Sequence, residues 1–346
     1  MKMKKLKYLL IFLLPTTVAI SFISEGIFSF VPVVVFFIIV PVLELLLPPD
    51  SDNLTEEERL LAEKDPFYDW LVYLLVPIQY IFLFYFLATA IETEDQLTLV
   101  GRTISMGLMC GVIGINVGHE LGHRLDRTQQ FLGELLLLTS MDTHFLPYHN
   151  RGHHTNVGTP QDPATARKNE PVYLFWVRSH FGSYLQAWQI EIQRMKIMKE
   201  FAFSLKNRMV FYTILQSALL ILIGAFIGKA AILFFLYSAV IGILLLETVN
   251  YIEHYGLMRD KRENGVYERV RRSHSWNSNH VLGRAILFEL SRHSDHHFKA
   301  DRPYQLLEHH DESPQMPSGY PGMMLLSFIP PVFFKVVNPL IEKNKE

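Results

Sequence analysis

Six long apolar runs constrain the fold of this chain more than any other feature of its sequence. A helix needs about 20 apolar residues to cross the hydrocarbon core of a bilayer. Only 19% of the residues are charged, against about 25% in soluble domains. The sequence therefore predicts an all-α integral membrane protein with six transmembrane helices. The runs cover residues 6–23, 27–47, 70–91, 97–117, 209–227 and 230–249.

The positive charges predict the orientation of these helices. Of the 32 lysines and arginines, 30 fall in the N-terminus, the 48–69 loop, the 118–208 region and the chain from 250 onward. Loops on the cytoplasmic side carry the excess of Lys and Arg, so both termini are expected there. The lysines before the short first run are also typical of a cleaved signal peptide. Cleavage would leave the orientation of the other helices unchanged.

The chain is expected to fold as two regions. Residues 1–250 form the bundle, which includes a histidine-rich, cytoplasmic helical region at 118–208, and residues 251–346 form a cytoplasmic region that completes the site. The apolar stretches 131–146 and 322–334 are too short to span comfortably and are expected to form re-entrant or interfacial helices. One cysteine, Cys110, excludes a disulfide framework, a multi-thiolate zinc site and an iron–sulfur cluster. A net charge of −2 argues against a nucleic-acid partner.

Nine of the fifteen histidines fall in clusters on the predicted cytoplasmic side. Three clusters contain a His-x-x-x-His pair, and residues four apart share one face of a helix, so each pair can direct two imidazoles at one ion. Imidazole suits Zn, Cu, Fe and Ni. Nine ligands exceed the about six that one octahedral ion accepts, so two ions are predicted. The nine are His119, His123, His149, His153, His154, His254, His293, His296 and His297.

Carboxylates accompany these histidines along the chain. Glu120, Glu253 and Asp295 are expected either to accept a hydrogen bond from a ligating ring and fix its orientation or to form ordinary surface salt bridges. Glu247 lies inside the sixth run, where a carboxylate is costly unless it faces protein or water, and is expected to line a cavity beneath the ions. The remaining histidines lack partner spacing. They are His144, His180, His274, His280, His309 and His310, of which His280 is interpreted as structural and His309 and His310 as solvated.

Two other functions fit part of the pattern. His119-Glu-Leu-Gly-His123 matches the H-E-x-x-H motif of zinc proteases, with Glu120 as general base. That interpretation leaves six clustered histidines unexplained. A metal transporter needs polar groups through the membrane interior, and here the clusters occupy one edge of otherwise apolar runs.

From the third run to Pro339, the chain resembles the membrane alkane monooxygenases, within the di-iron group that includes fatty acid desaturases. The resemblance implies that the nine histidines bind two non-haem irons, with no catalytic side chain beyond these ligands. The enzyme would insert one oxygen atom of O₂ into the terminal methyl of an alkane and yield a primary alcohol. The motifs are His119-Glu-Leu-Gly-His123, Arg151-Gly-His153-His154, Thr159-Pro-Gln-Asp-Pro163, Asn250-Tyr-Ile-Glu-His254-Tyr-Gly-Leu257, Ser275-Trp-Asn-Ser-Asn-His280, Arg292-His293-Ser-Asp-His296-His297 and Arg302-Pro-Tyr-Gln305.

The same resemblance implies partners and a location. Electrons would come from rubredoxin, reduced by an NAD(P)H-dependent rubredoxin reductase; because the chain has one cysteine, rubredoxin must be a separate protein. It would meet the basic segment 269–272 on the cytoplasmic face of a bacterial inner membrane. Alternatives within the group are a fatty acyl desaturase or hydroxylase and a xylene-type monooxygenase. Tyr148 departs from the family, which is expected to carry an acid there.

Overall fold

The prediction of a six-helix membrane protein is confirmed. The computed structural model describes residues 2–344, of which no segment forms a β-strand; Met1, Lys345 and Glu346, at the outer ends of the two predicted regions, lie outside it. Six helices are long and apolar enough to cross a bilayer. These spans, numbered first to sixth, are Lys4–Ile23, Gly26–Leu46, Phe67–Ala90, Gln96–Gly122, Arg208–Phe226 and Lys229–His254.

The fourth and sixth spans extend past the apolar runs that predicted them. The fourth continues to Gly122 and the sixth to His254, so that His119 and His254 lie in their final turns. The fourth span also contains a π-helical segment, Cys110–Val117, one turn before His119. Such widened turns are common at functional sites, because they rotate the side chains that follow.

Glycines let the fourth and sixth spans cross in close contact. A Cβ on Gly242 would lie 2.7 Å from Cβ of Cys110, and one on Gly107 would lie 2.5 Å from Cβ of Ile241. Small residues at a crossing allow two helix backbones to approach. This crossing fixes the two spans that carry His119 and His254.

Several helices lie outside the spans, among them Glu56–Lys64 after the second span and four that surround the histidines. These four are Arg127–Leu138, Val172–Ile197, Tyr320–Ser327 and Pro330–Lys343. The predicted stretch 131–146 holds the end of the first of these and a buried short helix, Phe145–Tyr148. The stretch 322–334 is divided at Pro330, which begins a new helix. The first position of a helix suits proline, because an N–H group at that position has no acceptor within the helix. The sequence did not predict Val172–Ile197.

A buried charge cluster joins the first span to the C-terminal region. Glu289 accepts hydrogen bonds from Tyr8 Oη at 2.9 Å and from Arg284 Nε at 2.6 Å, and Lys7 Nζ lies 2.5 Å away. The carboxylate is 2% exposed and would be costly without these partners. It therefore holds residues 281–298, which carry three of the clustered histidines, against the bundle.

Candidate metal centre

The structure brings all nine clustered histidines together and sorts them into two groups. Seven of the nine are buried, while His123 and His154 are partly buried. Within each group the possible ligand atoms lie within 4.8 Å of one another. One group contains His119, His123, His149, His154 and His296; the other contains His153, His254, His293 and His297.

The nitrogen–nitrogen distances fit ions at the centre of each group. Nε2 of His119 lies 3.1 Å from Nε2 of His296 and 3.0 Å from that of His123. In the second group, Nε2 of His293 lies 3.1 Å from that of His254. Imidazole nitrogens bind metals at about 2.0–2.1 Å, so two ligands at a right angle are about 3.0 Å apart. The donor set and its spacing therefore suit two transition-metal ions.

A π-helical turn changes which histidines pair. His149 and His153 are four residues apart and could by spacing alone face one ion, but the structure places them in different groups. The segment His149–His153 is π-helical, so the side chain five residues on takes the same face, and Nε2 of His149 lies 3.1 Å from Nε2 of His154. His153 consequently turns into the four-histidine group.

Asp162 holds His153 in the orientation that a metal needs. Its Oδ2 lies 2.9 Å from His153 Nδ1, and Tyr148 Oη donates to its Oδ1 at 2.6 Å. Burial raises the pKa of Asp162, but the facing His153 and the donated hydrogen bonds outweigh burial and lower that pKa to about 2. The carboxylate is thus an acceptor, so His153 carries its proton on Nδ1. Its Nε2 is buried and has no hydrogen-bond partner among residues 2–344, as expected for a metal ligand.

Sequence reasoning missed Asp162 and the role of Tyr148. Asp162 lies nine residues after His153, in Thr159-Pro-Gln-Asp-Pro163. An acidic residue between two prolines, close in sequence to a histidine cluster, could have indicated a carboxylate that contacts a ligating histidine. Tyr148, which stands where the family is expected to have an acid, reaches the centre through Asp162.

Glu253 lies at ion-pair distance from a histidine of the second group, although the two side chains form no hydrogen bond. Its Oε1 lies 3.2 Å from His293 Nδ1 and accepts a hydrogen bond from Tyr320 Oη at 2.7 Å. Burial lowers the pKa of His293 well below its usual value and lowers that of His296 to about 3. These rings are therefore neutral at physiological pH, and each has a lone pair for an ion.

The other three predicted carboxylates face elsewhere. Glu120 accepts hydrogen bonds from Arg124 Nε at 3.0 Å and from the Tyr304 amide at 3.2 Å. Asp295 lies 2.5 Å from Arg302 and 3.1 Å from His310, which is partly buried rather than solvated. Glu247 is buried outside the cavity lining, with Oε1 3.9 Å from His180 Nδ1.

An apolar cavity opens onto the histidines. His119, His149 and His293 form part of its wall. Its lining along the fourth span runs from His119 to Leu108, eleven residues or about 16 Å of helix. An apolar chain fits such a cavity, and water gains few hydrogen bonds there. The apolar lining includes Leu14, Phe36, Val40, Leu108, Val112 and Leu245.

Comparisons with known proteins agree with this geometry. The profile of the fatty acid desaturase family matches residues 96–326. The chain is 40% identical to an alkane 1-monooxygenase of Acinetobacter baylyi over 317 residues, which cover 90% of this chain and 77% of the relative. It is 39% identical to alkane 1-monooxygenase 1 of Pseudomonas aeruginosa, with 90% and 83% covered. It is 29% identical to the xylene/toluene monooxygenase hydroxylase component of Pseudomonas putida, with 71% and 65% covered.

Proposed function

The chain belongs to the alkane 1-monooxygenase family of desaturase-like membrane proteins, and we propose that its nine clustered histidines hold two irons. It is a monooxygenase that hydroxylates an alkane to the primary alcohol. The observation that carries the proposal is the pair of histidine groups, five and four, beside one apolar cavity. Imidazole donors at these separations suit iron. Held by these histidines, two irons would supply the redox chemistry by which one atom of O₂ enters a C–H bond and the other becomes water.

The side chains of this protein do the positioning. Asp162 fixes the ring of His153 through a hydrogen bond, so that this ring presents a lone pair inward, and Glu253 lies 3.2 Å from Nδ1 of His293. The cavity takes an alkane end-on, because the ligand histidines meet it at one end and Leu108 lies about 16 Å along the fourth span. A hydrocarbon offers no polar group, so the shape of this cavity selects the terminal methyl.

The orientation and the electron donor belong to the same proposal. The charge distribution supports a bacterial inner-membrane protein with both termini and the metal centre on the cytoplasmic side. Rubredoxin, reduced by its NAD(P)H-dependent reductase, would deliver electrons there, near the basic segment 269–272. We also infer that the 251–346 region completes the centre of the 1–250 bundle, because it supplies His254, His293, His296 and His297.

The local structure argues against a zinc protease. A general base must be free to take a proton from water, whereas Glu120 is buried and ion-paired with Arg124 at 2.8 Å. The xylene/toluene relative favours a second candidate, oxidation of the methyl group of an aromatic ring. Because the cavity lining is mostly apolar, it suits both alkanes and methyl-substituted aromatic hydrocarbons.

Product analysis tests the proposal. The purified protein receives octane, hexadecane or xylene with rubredoxin, its reductase, NADH and ¹⁸O₂. We expect ¹⁸O-labelled 1-octanol or 1-hexadecanol, and no product from a His153→Ala variant. Labelled benzylic alcohol without alkanol would support the second candidate. An alkene from acyl lipid, or full activity in His153→Ala, would contradict the proposal.

A further inference from the structure

Asp142, His144 and His180 form a third group of ligand-type side chains, separate from the nine histidines. Their possible ligand atoms lie within 4.8 Å of one another. Asp142 Oδ1 is 3.0 Å from His144 Nδ1. The rings of His144 and His180 have centroids 5.3 Å apart and are inclined at 78°. Ring pairs of the main centre show similar geometry, as with His119 and His296 at 4.7 Å and 74°.

The group is assembled from two distant segments. Asp142 and His144 lie in the turn between helices Arg127–Leu138 and Phe145–Tyr148, whereas His180 belongs to helix Val172–Ile197. The side chains of Asp142 and His144 are 2% and 7% exposed. Asp142 Oδ2 is buried with no hydrogen-bond partner among the described residues. A buried carboxylate oxygen left in this way is costly, and a bound cation would remove the cost.

Each histidine of this group has a polar neighbour at one of its ring nitrogens. His144 Nε2 lies 3.4 Å from Ser183 Oγ, and His180 Nδ1 lies 3.9 Å from Glu247 Oε1. Ligating histidines usually present their second nitrogen to a hydroxyl or carboxylate, which fixes the tautomer. This arrangement leaves His144 Nδ1, which faces Asp142, for an ion, whereas the 3.9 Å between His180 and Glu247 is too long for a hydrogen bond.

A small cavity adjoins the group. Its wall includes His144, His180, Tyr184, Tyr212 and Gln216. Three protein ligands and one water from such a cavity complete a four-coordinate site. Two histidines, one carboxylate and water form a donor set that suits Zn²⁺.

We propose that Asp142, His144 and His180 bind one zinc ion in addition to the metals of the nine-histidine centre. The ion would tie the 139–145 turn to helix Val172–Ile197. His144 directly precedes the helical segment that carries His149, His153 and His154. Zinc at this site therefore stabilises the segment that supplies three ligands of the main centre.

Metal stoichiometry tests the proposal independently of oxygenase activity. The iron-loaded protein is mixed with one to three equivalents of ZnCl₂ and desalted, and its iron and zinc are measured by mass spectrometry. We expect a gain of about one zinc per chain with no loss of iron. If zinc binds only in exchange for iron, then it occupies the main centre, and this result would overturn the proposal.

Matched variants locate the ion. His180→Gln, at a partly exposed position, and Asp142→Asn should each weaken zinc binding by at least about tenfold and keep the iron. His280→Gln changes a partly buried histidine outside all three groups and should bind zinc like the parent. Equal zinc in His180→Gln and the parent, or equal losses in His280→Gln and His180→Gln, would refute the site. Anomalous scattering at the zinc edge should place one peak beside Asp142 and His144.

Discussion

Replacing Asp162 by asparagine should weaken the four-histidine group selectively. The two oxygens of Asp162 accept hydrogen bonds from His153 Nδ1, Tyr148 Oη, Thr165 Oγ1 and the Ala164 amide, at 2.6–3.2 Å. An asparagine keeps one of these two oxygens and replaces the other by an NH₂ group, which cannot accept the hydrogen bonds donated at that position. If the NH₂ group faces His153, the ring proton moves to Nε2 and the lone pair turns away from the ion.

The expected loss follows from this change of tautomer. Partners that orient a ligating histidine are worth about 10–100-fold in metal affinity, which corresponds to about 1.4–2.8 kcal/mol. Asp162→Asn should therefore lose one of its two irons at a chelator concentration about 10–100-fold lower than the parent requires. Iron per chain after dialysis against graded chelator measures this effect.

Tyr148→Phe is the matched control for Asp162→Asn. It removes one hydrogen bond to Asp162 but keeps the carboxylate on His153, so its loss of affinity should stay below about tenfold. If Asp162→Asn retains both irons as the parent does, or if Tyr148→Phe loses iron equally, then Asp162 does not control the ligand.

Three further predictions concern the cavity and the buried carboxylates. Val112→Phe narrows the cavity, so kcat/KM for hexadecane should fall about tenfold more than kcat/KM for octane. An equal fall for both alkanes would show that the substrate does not occupy this cavity. Tyr320→Phe removes a hydrogen-bond donor to Glu253, so the variant should release iron at a several-fold lower chelator concentration than the parent. Release at the same chelator concentration would count against Glu253 as a partner of His293. Burial raises the pKa of Glu289, but Arg284 and Lys7 outweigh burial and lower that pKa to about 2. Its contribution of about 3 kcal/mol is therefore complete above about pH 4.5 and lost as the pH falls toward 2. The melting temperature in detergent should therefore fall as the pH is lowered from 4.5 toward 2. The Glu289→Gln variant should lack this stabilisation at every pH.

The six spans were predictable because a bilayer imposes a minimum length of apolar helix. The extended ends of the fourth and sixth spans were less visible, since polar residues such as His119 and Glu253 interrupt the apolar pattern there. Helix Val172–Ile197 escaped prediction for a similar reason: it mixes exposed apolar residues such as Leu174 and Phe181 with charged ones.

The histidine clusters were predictable from spacing, but their assignment to two groups was not. Four-residue spacing gives the right partners for His119 with His123 and for His293 with His297. It fails at His149, because a π-helical turn has no signature in hydrophobic periodicity. Contacts between distant segments, such as that of Asp142 and His144 with His180, depend on packing that sequence spacing does not reveal.

The metal content of the detergent-purified protein tests the central claim most directly. Iron and zinc are measured together, after anaerobic reconstitution with Fe²⁺. The two histidine groups predict about two irons per chain in the parent, with one iron lost in His123→Ala and one in His297→Ala, since these residues belong to different groups. Failure to retain iron after reconstitution, with one zinc bound per chain and no oxygenase activity, would contradict a di-iron centre.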